Sequence, residues 1–294
     1  MLEAVPNVSE GRDPGVVRLI ADAFATHATL LDVHSDPDHN RSVLTLVGDE
    51  ENVVGSLLAG IAAAVALVDL RTHAGVHPRV GVADVVPLVP LVPEDMPRAI
   101  SAARTLAHRV GADLGLPVFH YGELARGRRP AFFRRGGLDE LRRRVQSGEL
   151  VPDDGPSHID ERSGAVLVGA RPFLVAYNVE LATDDIGIAR EIAAAIRESS
   201  GGMPGVQAIG LELPGSGHVQ VSMNVIDVER APLHEVVRRV RDEAEARGVE
   251  VRAGELVGLV PASVVRAAGA AGADIPGVDE SRVLENVLRS RLAE

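Results

Sequence analysis

The order of apolar segments in the second half of this chain constrains its fold more than any single motif. Phe173 to Leu181 reads as a strand and Asp184 to Ser199 as a helix. Val206 to Leu213 and Val219 to Ile226 read as two strands joined through Pro214-Gly215-Ser216-Gly217. Pro232 to Arg247 then reads as a helix and Glu250 to Val257 as a strand. Strand, helix, strand, strand, helix, strand is the split β-α-β arrangement of ferredoxin-like folds. The first half follows the same order with insertions: strand Leu2 to Ser9, a helix opened by Asp13-Pro14, strands Thr29 to Val33 and Ser42 to Gly48, helix Glu50 to Leu67, and strand Asp84 to Val92. A helix from about Glu94 to Gly111 and a short strand Pro117 to Tyr121 come next. Two related α/β subdomains are expected, 1–177 and 178–294. Residues 122–164, rich in Arg, Gly, Pro and Asp, read as a long excursion with one helix around Leu138 to Gln146; such excursions often carry binding function.

Composition narrows the chemistry. Only 2% of residues are aromatic, so a flat ligand finds few stacking partners. No cysteine is present, which removes disulfides, thiolate metal sites and a Cys nucleophile. A formal charge of −12 disfavours nucleic acid and anionic membranes, which call for a positive field. The N-terminus shows no basic segment followed by an apolar one, and the apolar stretch Val82 to Val92 is too short to span a bilayer, which takes about 20 residues. The expected setting is cytoplasmic.

The densest polar cluster is Thr72-His73-Ala74-Gly75-Val76-His77-Pro78-Arg79-Val80-Gly81. Gly75, Pro78 and Gly81 keep it out of helix, and a histidine is the natural proton carrier near neutral pH. His73 and His77 are either loop histidines with structural hydrogen bonds or part of a site. A zinc reading needs a helix and a Glu after the first His, and Ala74 stands there, so no metal is expected. A second cluster, Asp32 to Arg41, lacks the Gly and Glu of a calcium loop, since Pro37 and Val43 occupy those positions. It is either a polar turn or a lining of His34, Asn40 and Arg41 along a cleft. Pro6-Asn7-Val8-Ser9-Glu10-Gly11-Arg12 ends the first strand, where α/β proteins place ligand groups. Gly215-Ser216-Gly217 lacks the third glycine of a dinucleotide fingerprint and reads as a hairpin turn. The arginine-rich run from Arg126 to Arg135, continuing to Arg144, is either solvated surface or a holder of an anion such as the carboxylate tail of a folate.

These clusters resemble the formiminotransferase domain of glutamate formiminotransferases. The matching segments are Val5 to Gly11, Asn40-Arg41-Ser42-Val43, Gly75 to Gly81 with Asp84-Val85, Pro117-Val118 leading to Tyr121-Gly122-Glu123, Gly155-Pro156-Ser157, Val206 to Gly210, and Glu255 to Pro261. They occur in the family's order over nearly the whole chain. The resemblance implies an α/β (α+β) protein of two ferredoxin-like subdomains, their sheets facing each other across a substrate cleft and their helices outside. It implies transfer of a formimino group between N-formimino-L-glutamate and N5 of tetrahydrofolate, the latter as co-substrate, by a homodimer. The family's catalytic histidine falls on His77 and its folate segment on Gly155 to Gly164, including Ser163. Substrate contacts are expected from Asn7, Ser9, Asn40, Arg41, His73, Arg79 and Asp84, with Arg41 and Arg79 as bidentate carboxylate partners. The chain departs from the family at His34, where an Asp stands in the cleft, at Ala74 and Val76, which replace polar residues, and at Ser163, which replaces a Trp. His34 is counted with His77 as catalytic, and if it faces His77 it changes the pH dependence of that residue. The rival readings are a related amidine or acyl transferase, or a hydrolase, on another small substrate, and a non-catalytic folate-binding module.

Overall fold

Pro6 breaks the first strand in two. A proline has no N–H to give a ladder, and the chain forms β1 (Leu2–Ala4) and β2 (Asn7–Val8) on either side of it. Both pieces lie between the same neighbours, β4 (Arg41–Gly48) and β5 (Ala83–Pro90), antiparallel to each. With β3 (Thr29–Asp36) on the far side of β4, the first half has the order β3-β4-β1/β2-β5, the ferredoxin-like arrangement expected from the sequence. The sheet then continues in parallel through β7 (Val166–Ala170) to β6 (Val118–Gly122). The computed structural model describes residues 1–292, and the chain divides into two units, Met1–Pro172 and Phe173–Glu294. The division expected near residue 177 would cut β8 (Val175–Leu181); the break falls ahead of that strand.

One face of the first sheet packs on helices. In α1 (Pro14–Phe24) the Asp13 carboxylate accepts from the N–H groups of Gly15 and Val16, and Pro14 fits the first turn. Asp49 caps α2 (Glu50–Leu67) in the same way. This helix is long and apolar enough to cross a membrane, yet its Val53, Leu57, Ile61 and Ala64 are wholly buried inside the first unit. With α3 (Met96–Asp113) these helices cover Leu2, Ala4, Leu44, Leu46, Val86 and Leu88. Strand alternation sends Glu3, Asn7, Arg41 and Val85 to the opposite face.

Residues 122–164 are scaffold as well as excursion. They hold two helices, α4 (Pro130–Arg134) and α5 (Gly137–Gln146), where the sequence suggested one. Phe133, Leu141, Val145 and Ile159 join Phe119, Tyr121, Val85 and Leu167 in a second core against the parallel end of the sheet. A five-residue helix is too short to show a 3.6-residue period, which is why α4 escapes a sequence reading.

The second unit is the simpler of the two. Its strands β8, β9 (Val206–Leu213), β10 (His218–Val225) and β11 (Val251–Val257) pair in the order β11-β8-β10-β9, all antiparallel. Helices α6 (Ile186–Ile196) and α7 (Leu233–Glu245) supply the crossovers. After β11 come α8 (Ala262–Ala270) and α9 (Leu284–Leu292).

Candidate active site

Asn40 ties three loops together. Its Oδ1 accepts from Gly11 N–H at 3.0 Å, its Nδ2 donates to Ala74 O at 3.0 Å, and its own carbonyl meets His73 Nε2 at 2.9 Å. It does this at φ +46, a left-handed conformation that asparagine accepts more readily than most residues. The third of these loops, 73–81, is irregular, so His73 and His77 do not share a helix face. Gly75 is required there, since a Cβ would press into the carbonyl of His39. Arg79 clamps the loop from within: Nη1 donates to Gly75 O at 3.0 Å and His77 O at 3.3 Å, and Nη2 to His73 O at 2.9 Å. Arg79 therefore shapes the loop with the donors that the sequence reading assigned to a substrate carboxylate. Ala74 and Val76 take part through backbone atoms, Ala74 O to Asn40 and Val76 N–H to Asp38 O, which any side chain leaves in place.

Beside this loop lies a buried ion cluster. Asp84, wholly buried, accepts from Arg41 Nη1 at 2.8 Å and Val80 N–H at 2.7 Å, and also from Arg134 Nη2. Burial alone would raise the Asp84 carboxyl, but Arg134, Arg41 and the Val80 N–H hold it below the ordinary carboxylate range. Burial pulls Arg41 down to about 10 against the opposing pull of Asp84. Arg41 Nε also donates to Asn7 Oδ1 at 3.1 Å. Two guanidinium groups on one carboxylate leave the cluster with an excess of positive charge.

His77 faces that charge. Its Nδ1 is 2.8 Å from Pro78 O. A carbonyl only accepts, so Nδ1 carries the proton and Nε2 keeps the lone pair. The ring retains some solvent contact yet sits deep among packed atoms. Burial first, then Arg41, Arg134 and His39, push its pKa well below the ordinary 6.5. At neutral pH it is a neutral base with a fixed tautomer.

The imidazole brought against His77 is His39, with ring centroids 5.6 Å apart. His34 stands on β3 opposite Val43, on the sheet face that also carries Arg41, and the groups that shift His77 are Arg41, Arg134 and His39. The ring contact on His77 is thus made by His39, a histidine the sequence reading did not pair with it. His39 is buried in the turn before Asn40, with its backbone N–H on Asp36 Oδ1 at 2.9 Å and its Nδ1 3.6 Å from Asp36 Oδ2.

The remaining sequence candidates divide by location. Ser9 Oγ donates to Gly81 O at 2.8 Å, fixing the end of the His77 loop. Gly164, at φ +72, bridges Gly81, and Ser163 O accepts from Val82 N–H at 2.9 Å, so this end of the 155–164 segment adjoins that loop. Gly155, Pro156 and Ser157 are exposed, and Gly155 packs on Gly111 of α3, away from the ion cluster. Two residues that the sequence reading did not single out, Arg134 and His39, complete the site. Arg134 lay hidden in a run of similar arginines, and its partner Asp84 is 50 residues away.

A ferredoxin-like sheet with a neutral imidazole beside a buried, cation-rich cluster defines an α+β class of protein with a site suited to an anionic ligand and to proton transfer. The chain belongs to the formiminotransferase family. The family model for the formiminotransferase domain, N-terminal subdomain, matches residues 1–171, and that for the formiminotransferase domain matches 176–272. A glutamate formimidoyltransferase of Thermoplasma acidophilum is 40% identical, over 97% of this chain and 96% of the relative. One of Streptococcus pyogenes is 37% identical over 90% of each. A formimidoyltransferase-cyclodeaminase of Gallus gallus is 40% identical over 89% of this chain and 50% of the longer protein.

Proposed function

We propose that this chain is a glutamate formimidoyltransferase that moves a formimino group between N-formimino-L-glutamate and N5 of tetrahydrofolate, with His77 as general acid and base. The observation that carries the assignment of roles is the fixed tautomer of His77 beside Arg41, Asp84 and Arg134. Attack of an amine on the formimino carbon forms one C–N bond and leaves a tetrahedral centre. His77 Nε2 takes a proton from the attacking nitrogen. The imidazolium then returns it to the glutamate nitrogen as the second C–N bond breaks. The lowered pKa keeps His77 in its neutral, accepting form at neutral pH, and its conjugate acid, destabilised among cations, gives the proton back readily. Arg41, part of a positively charged cluster, draws the dicarboxylate donor toward this histidine. The Ser163–Gly164 end of the 155–164 segment, adjoining the His77 loop, is the part of it assigned to the folate. A cytoplasmic homodimer completes the reading, and sedimentation velocity and cell fractionation check it.

The test is direct. Purified protein with N-formimino-L-glutamate and tetrahydrofolate is expected to release glutamate and give a folate product heavier by the formimino group, read by mass spectrometry. A chain that binds reduced folate without forming that product is a binding module, and one that releases glutamate without a folate acceptor is a hydrolase; either result overturns the assignment.

A further inference from the structure

Among the described residues, several buried side-chain atoms have no hydrogen-bond partner, and two of these are donors within the first unit's second core: Tyr121 Oη and Arg134 Nε. Proteins rarely leave a buried donor unmatched, so each such atom asks for an explanation. The two sit close together in the fold. Tyr121 is 3% exposed on β6, its ring lying against Gly169, where a Cβ would collide with it. Arg134 ends α4 directly after Phe133, which packs in the same core as Tyr121. One amino group of Arg134 is taken by Asp84, which leaves its Nε–H edge turned elsewhere. The surroundings are cationic: Arg171 and Arg134 both act on the Tyr121 hydroxyl, with Asp84 the opposing charge, and Arg171 also acts on it as a hydrogen-bonding group; a guanidinium only donates, so the phenol proton is still without an acceptor.

We infer that Tyr121 and Arg134 form a carboxylate subsite beside His77, in which one carboxylate oxygen accepts from the phenol O–H and the other from the guanidinium Nε–H. A carboxylate meets all of the observations. It accepts only, it has two oxygens for two donors, and its charge balances the second arginine on Asp84. Burial pushes the Tyr121 hydroxyl up to about 12, so it keeps its proton and donates. The inference rests on the proposed function in one respect, that the carboxylate belongs to the amino-acid donor, N-formimino-L-glutamate. The same chemistry is present in the glutamyl tail of a folate, and the experiment separates the two.

The full chain is titrated calorimetrically with L-glutamate and, separately, with N-(4-aminobenzoyl)-L-glutamate, a fragment of the folate tail. Tyr121→Phe keeps the ring and its packing. It is expected to weaken L-glutamate about tenfold or more, as loss of a hydrogen bond to a charged group does, and to leave the folate fragment unchanged. Arg134→Lys keeps a positive charge for Asp84 but lacks the Nε–H, and is expected to weaken L-glutamate similarly. In turnover both variants raise KM for the amino-acid donor more than they lower kcat, a split that a general loss of structure does not give. Wild-type affinity for L-glutamate in Tyr121→Phe overturns the subsite, as does a wild-type protein that does not bind L-glutamate at all. Loss of the folate fragment with L-glutamate unchanged overturns its assignment to the donor. A wild-type chain without transferase activity whose L-glutamate binding still depends on Tyr121 sinks the activity reading and upholds the subsite.

Discussion

The chain has two tyrosines, one in each unit, and both are buried with hydroxyl pKa values pushed up to about 12. Tyr177, on β8 of the second sheet, donates to Pro276 O at 2.7 Å. Tyr121, on β6 of the first, has no acceptor for its O–H. The two sheets contrast in the same way. The second is lined by Val, Leu, Ile, Ala and Met around that satisfied phenol, and the polar side chains it buries, Asn178 and Gln220, are uncharged. The first, with the same ferredoxin-like strand order at its heart, buries Glu3, His39, Arg41 and Asp84. Perturbed titration is common to both, so it does not mark the site by itself; unmatched donors and unbalanced charge do.

The largest expected effect breaks or upholds this contrast at the level of catalysis. His77→Ala is expected to cost ~10²–10⁴ in kcat, the usual worth of a general acid–base. His218→Ala removes the second unit's histidine–carboxylate pair, His218 Nδ1 to Glu180 at 3.0 Å, and is expected to leave turnover intact. Equal losses in the two variants would break the comparison.

Next in size is the charge test. Asp84→Ala strands Arg41 and Arg134, and removing one partner of a buried ion pair costs about 3–5 kcal/mol. Glu180→Ala in the second unit removes a carboxylate that keeps some solvent contact, and the loss is expected to stay within about 1 kcal/mol. Urea denaturation of the two variants checks the difference.

The tyrosines give a smaller effect of opposite sign. Tyr177→Phe leaves Pro276 O without its donor and is expected to lower stability by about 1 kcal/mol. Tyr121→Phe removes an unmatched hydroxyl and is expected to leave the ligand-free protein as stable or more so. A matching fall in Tm for both would show that Tyr121 is an ordinary core residue.

The smallest effect is on pH dependence. In the proposed mechanism His77 acts in its neutral form, and its pKa lies below 6.5, so the acid limb of kcat/KM is expected below that pH. His39 is one of the groups holding it down. His39→Asn is therefore expected to move the acid limb toward higher pH by less than a unit. An unmoved limb would uncouple the two rings.

Much of this was legible in the sequence. Strand and helix order marked out the second unit, and in the first Asp13-Pro14 marked the start of α1. Gly75, Pro78 and Gly81 announced an irregular loop around His77, and Arg41 and Asp84 were both named before their ion pair was visible. What escaped depends on direction in space. His39 reaches His77 from a turn that leads into the left-handed Asn40, and a backbone sign is not written in residue type. Arg134 differs from the other arginines of its run only in where a five-residue helix points it. The Tyr121-Gly122-Glu123 motif was seen as a resemblance, but an unmatched hydroxyl is a property of surroundings and has no sequence signature.

The knot at Asn40 has a consequence for anyone who would redesign this site. Glycine would tolerate its backbone but offer nothing to Gly11 or Ala74. Aspartate would present a second acceptor to a carbonyl that already accepts. Leucine or valine would resist the left-handed turn itself. One side chain thus fixes the segments around Gly11 and Ala74 to its own turn, so the three are inherited as a set: a loop grafted from a relative brings its new chemistry only if all three arrive together.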